Sequence, residues 1–252
     1  MGAKNKIDYK KFYDRVGKLI GWDFSQVKVT SEEEKWDFYQ EVAKRCRKSD
    51  VLLDIGTGGG ERVLKIASSV LLLIGIDKSQ EMIRTANKNL GKSQDFNVRF
   101  FQMDAKDILF PNEFFNVISC RHSSFYPKEV MRVLTEGGFF LTQQVSEMDK
   151  INIKRAFGRG QEFGVKDETG KRHYVKGLKK AGFTEIQTFD YDAKEYYKTA
   201  EDLIFLLRHT PIIPDFGQKP EDFKTFARFV RENKTVKGIV TNSKRYMLIA
   251  KK

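Results

Sequence analysis

The sequence predicts an α/β fold built on a mostly parallel sheet. Short apolar runs that suit buried strands alternate with helix-length segments, beginning at Val51–Leu53. Each pair of runs is separated by enough chain for a crossover helix, so we expect parallel neighbours joined by right-handed connections. The first run ends in an acid followed by three glycines at every second position, from Asp54 to Gly60. Such a turn lets a ligand approach the backbone closely.

The charges at this turn indicate which kind of ligand it receives. A dinucleotide fingerprint, G-x-G-x-x-G, holds a pyrophosphate at a helix N-terminus. Here Glu61 occupies the place of the third glycine in that pattern, and Asp54 adds a second negative charge. The turn is therefore predicted to receive a ligand that carries a cation rather than phosphates.

The next elements continue the alternation. A helix face is predicted over 63–67, and a second strand over 70–76 ends at Asp77. An acid about 20 residues beyond such a turn suits hydrogen bonds to the ribose hydroxyls of a nucleoside. The alternative is that Asp77 caps the helix predicted over 79–90. The two roles are compatible.

Three more strands are predicted, over 98–102, 114–119 and 139–145. Asp104 follows the first of them, where an ordinary turn acid is the alternative. In order and spacing, these segments resemble the class I methyltransferases that use S-adenosylmethionine. Their pattern is acid-x-Gly-x-Gly-x-Gly after the first strand and an acid after each of the next two. The fourth strand departs from the family pattern, because Asn116 stands where an acid is usual.

The resemblance implies a doubly wound, mostly parallel seven-stranded sheet whose last strand, 245–251, is antiparallel. It also implies a division of the chain into an N-terminal helical cap, 1–49, and a methyltransferase domain, 50–252. Within that domain we expect a helical insertion at about 198–235, which either forms part of the acceptor pocket or serves as a buttress. The polar segment 146–173 is predicted to be a long loop.

The implied cofactor is S-adenosyl-L-methionine, and the implied product is S-adenosyl-L-homocysteine. In the family, Asp77 would bind the ribose, Asp104 would accept from the adenine amine, and Met82 would pack on the adenine. The predicted cofactor contacts are Asp54, Gly56, Thr57, Gly58, Gly60, Asp77, Lys78, Met82, Asp104, Ala105 and Cys120.

The acceptor side is predicted from two places in the sequence. Tyr9 and Tyr13 belong to an aromatic-rich segment that can fold across the crevice as a lid, unless its rings only pack a helix on the sheet. Arg121 and His122 follow the fourth strand. His122 is a candidate base, and a histidine bonded within its own loop is the alternative. Cys120 is not expected to be a nucleophile, because no Pro-Cys pattern accompanies it.

The amino-acid composition limits the kinds of molecule that this protein is expected to bind. The chain has 252 residues and a formal charge of +12, which admits RNA, but its 34 acids are interspersed with 46 bases and no RNA-binding module is recognised. We therefore favour a small-molecule acceptor, with an RNA base methyltransferase as the alternative and a non-catalytic cofactor-binding module as a further one. Two cysteines without a C-x-x-C motif predict neither a metal site nor disulfides. No membrane span or signal peptide is apparent, so we expect a cytoplasmic protein.

Overall fold

The structure, a computed structural model, describes residues 9–20 and 23–252, apart from the side chains of residues 9, 10, 13 and 20. A twisted sheet carries helices on both faces, as the predicted doubly wound fold requires. The side chains of Tyr9 and Tyr13, predicted at the acceptor pocket, lie outside the described residues. Within that described part of the chain, no helix combines the length and the apolar character needed to cross a bilayer.

The helices and strands have the following bounds. The helices are α1 (Tyr9–Ile20), α2 (Phe38–Ala43), α3 (Gln80–Leu90), α4 (Pro127–Val133), α5 (Ile151–Phe157), α6 (Thr169–Ala181), α7 (Ala200–His209) and α8 (Pro220–Asn233). The strands are β1 (Val29–Glu32), β2 (Val51–Ile55), β3 (Leu72–Asp77), β4 (Val98–Gln102), β5 (Phe115–Arg121), β6 (Leu134–Val145), β7 (Glu185–Tyr197), β8 (Lys234–Thr235) and β9 (Gly238–Lys251). Where an α-helix was expected after the glycine turn, Val63–Ser69 forms a 3₁₀ segment.

The sheet has the order β1-β7-β9-β6-β5-β2-β3-β4, and β8 pairs with the start of β9. Only β1 and β9 run opposite to the other described strands. Seven of the nine strands are the predicted ones, and β1 and β8 are additional. Since β1 pairs with the outer edge of β7, the N-terminal segment is not the purely helical cap that was predicted. β1 was missed because its Val-Thr-Ser-Glu sequence is mostly exposed and lacks an apolar alternation.

The two faces of the sheet bury separate cores. On one face, α4 and α6 cover a core that includes Ile118 and Phe140. On the other face, α2, the 3₁₀ segment and α3 cover a core that includes Leu52 and Val117. Successive strand residues alternate between these faces, which fixes where each site residue points at the carboxyl edge.

A third core lies around the far end of the long β7–β9 pair. Residues of α5, α7 and α8 pack there, with Ile153, Leu203 and Phe229 each buried. The prediction of a continuous loop over 146–173 was wrong, because α5 and the start of α6 lie within it. The apolar side of α5 packs against α8 of the insertion and against β9, both of which follow much later in the chain, so local sequence does not reveal it. The insertion itself is helical, as predicted.

Candidate active site

The glycine turn lies at the carboxyl edge of the sheet, where β2 is flanked by β3 and β5. The backbone N–H groups of Gly56 and Thr57 donate to the carbonyl of Ile76, at 2.8 and 3.0 Å. In an open α/β sheet, ligands bind outside the carboxyl ends of the strands at the point where the strand order reverses. The turn occupies that point.

The glycines of the turn are required by both conformation and space. Gly56, Gly58 and Gly60 all have positive φ, at 70°, 58° and 76°. A Cβ on Gly56 would lie 2.3 Å from the side chain of Ser123, and one on Gly60 would lie 2.8 Å from the ring of Phe100. The turn is thus packed between the loop after β5 and the strand β4, with no room for side chains on its inner side.

Asp77 joins the turn to the next helix. Its Oδ2 accepts from the backbone N–H of Gly58 at 3.0 Å, and its Oδ1 accepts from the N–H of Ser79 at 2.8 Å. The N-cap of α3 is Ser79, whose hydroxyl accepts from the N–H of Met82, so the alternative that Asp77 caps this helix is wrong. Burial raises the pKa of Asp77, and the negative charge of Asp14 on α1 raises it further.

Asp54 lies below the turn and is fully buried. Its carboxyl group accepts from the Ser119 hydroxyl at 2.6 Å and from the Tyr39 hydroxyl at 3.3 Å. Burial raises the pKa of Asp54 to about 6, although these hydrogen bonds act in the opposite direction. Ser119 and Tyr39 thus both contact the buried carboxyl group from within the protein.

The predicted adenine end is more open. Asp104 is half-buried, accepts from the N–H of Lys106 at 3.0 Å and forms an ion pair with Lys78 at 3.0 Å. The hydrogen bond from Lys106 and the charge of Lys78 lower the pKa of Asp104. Ala105, next in the chain, is half-buried.

Met82, the residue predicted to pack on the adenine, lies beside α1. It is buried, and α1 passes so close that a Cβ on Gly17 would lie 3.2 Å from the Met82 sulfur. The Thr85 hydroxyl also donates to the carbonyl of Gly17, at 3.1 Å. Met82 therefore packs against α1, and its contact with the adenine stays a prediction.

Cys120 has the surroundings of a core residue. It is fully buried in the core covered by α4 and α6, and its thiol donates to the carbonyl of Ser123 at 3.2 Å. Burial raises the pKa of the thiol well above its usual range. A nucleophilic thiolate is strongly disfavoured there.

His122 directly follows β5 and has a left-handed backbone conformation, with φ of 55°. The Gln143 amide nitrogen donates to Nε2 of His122 at 2.9 Å, and the Gln143 oxygen accepts from the Trp36 indole at 2.7 Å. Burial and the nearby cations Arg121 and Arg245 hold the pKa of His122 well below its ordinary value. The imidazole is neutral at pH 7, and its acceptor nitrogen is already engaged.

Arg121 lies on the same face of the sheet as Asp54. It is half-buried, and among the described residues none accepts a hydrogen bond from its guanidinium or forms an ion pair with it. Burial lowers the pKa of Arg121, and repulsion from Arg62 and Arg245 adds to this effect.

A group of paired charges lies next to this crevice, and we call it the ribbon cluster: Asp149, Lys150, Glu195 and Arg245. Lys150 contacts Glu195 at 2.7 Å, and Arg245 forms an ion pair with Asp149. Burial opposes the ionisation of Glu195, but Lys150 and Arg245 outweigh it and lower its pKa to about 2. The sequence analysis missed this cluster, since its members come from three distant segments.

Other site residues were also missed. Tyr39, Ser119 and Gln143 bond Asp54 or His122, yet they lie on three different elements. The aromatic-rich N-terminal segment was the available signal for Tyr39 and Trp36. The spacing of the glycines and acids predicted the turn and Asp77, and the structure places the two in contact.

Known proteins resemble this chain in sequence. Residues 52–138 match a family described as methyltransferase domain. The uncharacterized methyltransferase YcgJ of Bacillus subtilis is 34% identical over 121 residues, covering 45% of this chain and 47% of that protein. Residues 52–138 of this chain are therefore similar to a methyltransferase domain. The aligned region spans about half the length of YcgJ. The uncharacterized protein MJ1252 of Methanocaldococcus jannaschii is 26% identical over 198 residues, which cover 76% of this chain and 74% of that protein.

Solved structures resemble this chain in fold. The crystal structure of YcgJ gives a TM-score of 0.62 at 20% identity, covering 85% of this chain and 97% of that one. The [4+2]-cyclase SpnF gives a TM-score of 0.60 at 19% identity, covering 97% and 94%. These likenesses concern the fold alone. The cyclase illustrates that one fold hosts different reactions.

Proposed function

We propose that this protein is a methyltransferase that binds S-adenosylmethionine and transfers its methyl group to a small-molecule acceptor. One observation carries the proposal: the glycine turn lies directly against Asp77 at the end of the neighbouring strand, and the Gly58 N–H donates to the Asp77 carboxylate. A nucleoside needs a carboxylate for its ribose beside a backbone that it can approach closely.

The proposed contacts follow from this placement. Asp77 keeps acceptor capacity for the ribose hydroxyls, because each carboxylate oxygen has two lone pairs and uses one on a backbone N–H. The backbone from Gly56 to Gly60 would lie along the amino-acid end of the cofactor. Asp104 would accept from the adenine amine, beside Lys78 and Ala105. The sulfonium and ammonium charges would be stabilised by Asp54 at a distance.

Methyl transfer does not require a catalytic side chain. Methyl transfer from a sulfonium is an in-line displacement with a good leaving group, so alignment of the two reactants supplies much of the acceleration. We assign no general base. The low pKa of His122 and its hydrogen bond from Gln143 make it a poor proton acceptor, though its other ring nitrogen can orient an acceptor.

Enclosure favours a small acceptor. Arg121 and His122 are only half-exposed, and Trp36 and Tyr39 of the N-terminal segment lie against the same edge. We therefore propose residues 1–49 as a cap over the domain 50–252, with the insertion 198–235 acting as a buttress beside it. The charge of +12 is the observation that favours RNA as the second candidate.

Isothermal titration tests the cofactor assignment, and release of S-adenosylhomocysteine with candidate acceptors tests turnover. We expect binding of S-adenosylhomocysteine in the micromolar range. Absence of binding at millimolar concentration would overturn the proposal. Tight RNA binding that weakens steeply with salt would favour the second candidate. Cofactor binding without turnover on any acceptor would favour a binding module.

A further inference from the structure

Arg121, at the carboxyl end of β5, is a cation with no direct ion-pair partner among the described residues. As the last residue of β5, it follows Ser119, which pairs with Asp54 across β2. It is half-buried, and no described carboxylate or carbonyl bonds its guanidinium. Arginines withdrawn from water are normally paired, because an uncompensated buried charge is costly.

None of the groups around Arg121 forms a direct ion pair with it, although its charge acts on Asp54 and lowers the pKa of that acid. Tyr39 from α2 and Tyr191 from β7 contribute neutral hydroxyls, whereas Arg62 and Arg245 are further cations. Arg245 already has Asp149 as its partner. Asp54 is the acid on the same face, but its carboxyl group is bonded by Ser119 and Tyr39 and makes no ion pair with Arg121.

His122 reports the same excess of positive charge. The charged groups that act on it are Arg121, Arg245 and Lys150, and all three are cations. The latter two belong to the ribbon cluster and have carboxylate partners. The unbalanced positive charge at this edge therefore comes from Arg121, with the exposed Arg62 at its margin.

We propose that Arg121 receives a carboxylate group of a bound ligand. The guanidinium fork matches a carboxylate in a two-point hydrogen bond, which a lysine does not reproduce. Two molecules carry such a group into this crevice: the cofactor, through its amino-acid end, or the acceptor. The inference rests on the proposed function for the identity of these molecules, but not for the presence of the anion site.

Titrations of Arg121→Gln separate the two sources. The ligands are S-adenosylhomocysteine and 5′-methylthioadenosine, which lacks the amino-acid end. If the cofactor supplies the carboxylate, the variant binds S-adenosylhomocysteine about 10- to 100-fold more weakly and 5′-methylthioadenosine unchanged. Arg121→Lys should recover only part of the loss. Arg47→Gln, an exposed arginine before β2 at the opposite edge, is the matched control.

If the acceptor supplies the carboxylate, S-adenosylhomocysteine binds the variant normally, and an acetate titration shows the site instead. Acetate should shift the His122 ring signals saturably in the wild-type protein but not in Arg121→Gln. The titration is run with and without S-adenosylhomocysteine. If the protein does not bind the cofactor, the proposed function is wrong, but the acetate titration without cofactor still tests the anion site. The inference is overturned if Arg121→Gln changes neither cofactor affinity nor the acetate response.

Thermal unfolding provides a separate readout. A purely structural arginine would lower the melting temperature when removed, as expected for Arg245. Removal of an arginine that binds a ligand should leave the melting temperature of the free protein unchanged or raise it. It should lower only the increase in melting temperature that the ligand causes. A clear fall in the melting temperature of the free Arg121→Gln protein, matching that of Arg245→Gln, would contradict the proposal.

Discussion

The glycine turn and the ribbon cluster both bury carboxylates at the same edge of the sheet, but they treat them differently. Among the residues that the structure describes, Asp54 and Asp77 are bonded only by neutral donors, namely hydroxyls and backbone N–H groups. Glu195 and Asp149 are bonded by Lys150 and Arg245. Burial is common to both regions, so the difference lies in the charge of the partners.

The pKa values follow the partners. Burial raises the pKa of Asp54 to about 6, whereas the cations of the ribbon cluster lower that of Glu195 to about 2 despite its burial. The ribbon cluster is complete by itself and stabilises the end of the long β7–β9 pair. At the turn, Asp54 and Arg121 act on each other only at a distance, and among the described residues neither has a direct ion-pair partner. Unbalanced charge therefore marks the candidate binding site, and balanced charge marks structure.

Breaking the ribbon cluster should change the free energy of unfolding more than any of the other substitutions. Arg245→Gln leaves Asp149 without its strongest partner, and removing one member of a buried ion pair costs about 3–5 kcal/mol of unfolding free energy. Urea denaturation measures this loss. Arg47→Gln, with an equal change of charge on the surface, should stay within about 0.5 kcal/mol. Equal effects of the two variants would remove the contrast between the regions.

Asp54→Asn should raise the free energy of unfolding at pH 7, whereas Arg245→Gln lowers it. The folded pKa of about 6 lies above the ordinary 3.8, so the protonated acid favours folding at low pH and this contribution is lost as the pH rises through 6. The variant should gain about 3 kcal/mol relative to the wild type between pH 4 and pH 7. The exposed Glu185→Gln is the control. A difference that does not grow with pH would show that Asp54 is not destabilised by burial.

Gly56→Ala tests whether the turn is held by steric fit rather than by charge. The added Cβ must accept φ of 70° and meets the Ser123 side chain at 2.3 Å, so we expect a loss of about 2–3 kcal/mol in unfolding free energy. Ser123→Gly in the same background should restore the part caused by the clash. Gly158→Ala, with φ of 61° and open space around it, should lose only about 1 kcal/mol. If Gly158→Ala is equally harmful, the tight fit at Gly56 is irrelevant.

The same contrast explains which features could be predicted from sequence. Strand β4 and helix α3 were predicted almost to the residue, because their apolar runs and flanking residues are local signals. The turn and Asp77 were predicted for the same reason. The ribbon cluster was not, because Asp149 and Arg245 come together only after β9 pairs with both β6 and β7. Likewise, α5 depends on a helical insertion that follows much later in the chain.

Asp77→Asn should have the smallest effect and addresses the ligand directly. The variant keeps one acceptor oxygen for the N–H of Gly58 or Ser79 but loses the charge, so S-adenosylhomocysteine should bind more weakly by about 1–3 kcal/mol. Isothermal titration with the 2′,3′-dideoxy analogue completes a double cycle, because that ligand should not distinguish the two proteins. Asp107→Asn, exposed and beyond Asp104, is the control. An analogue that loses as much affinity as the parent would assign Asp77 to holding the turn rather than the ribose.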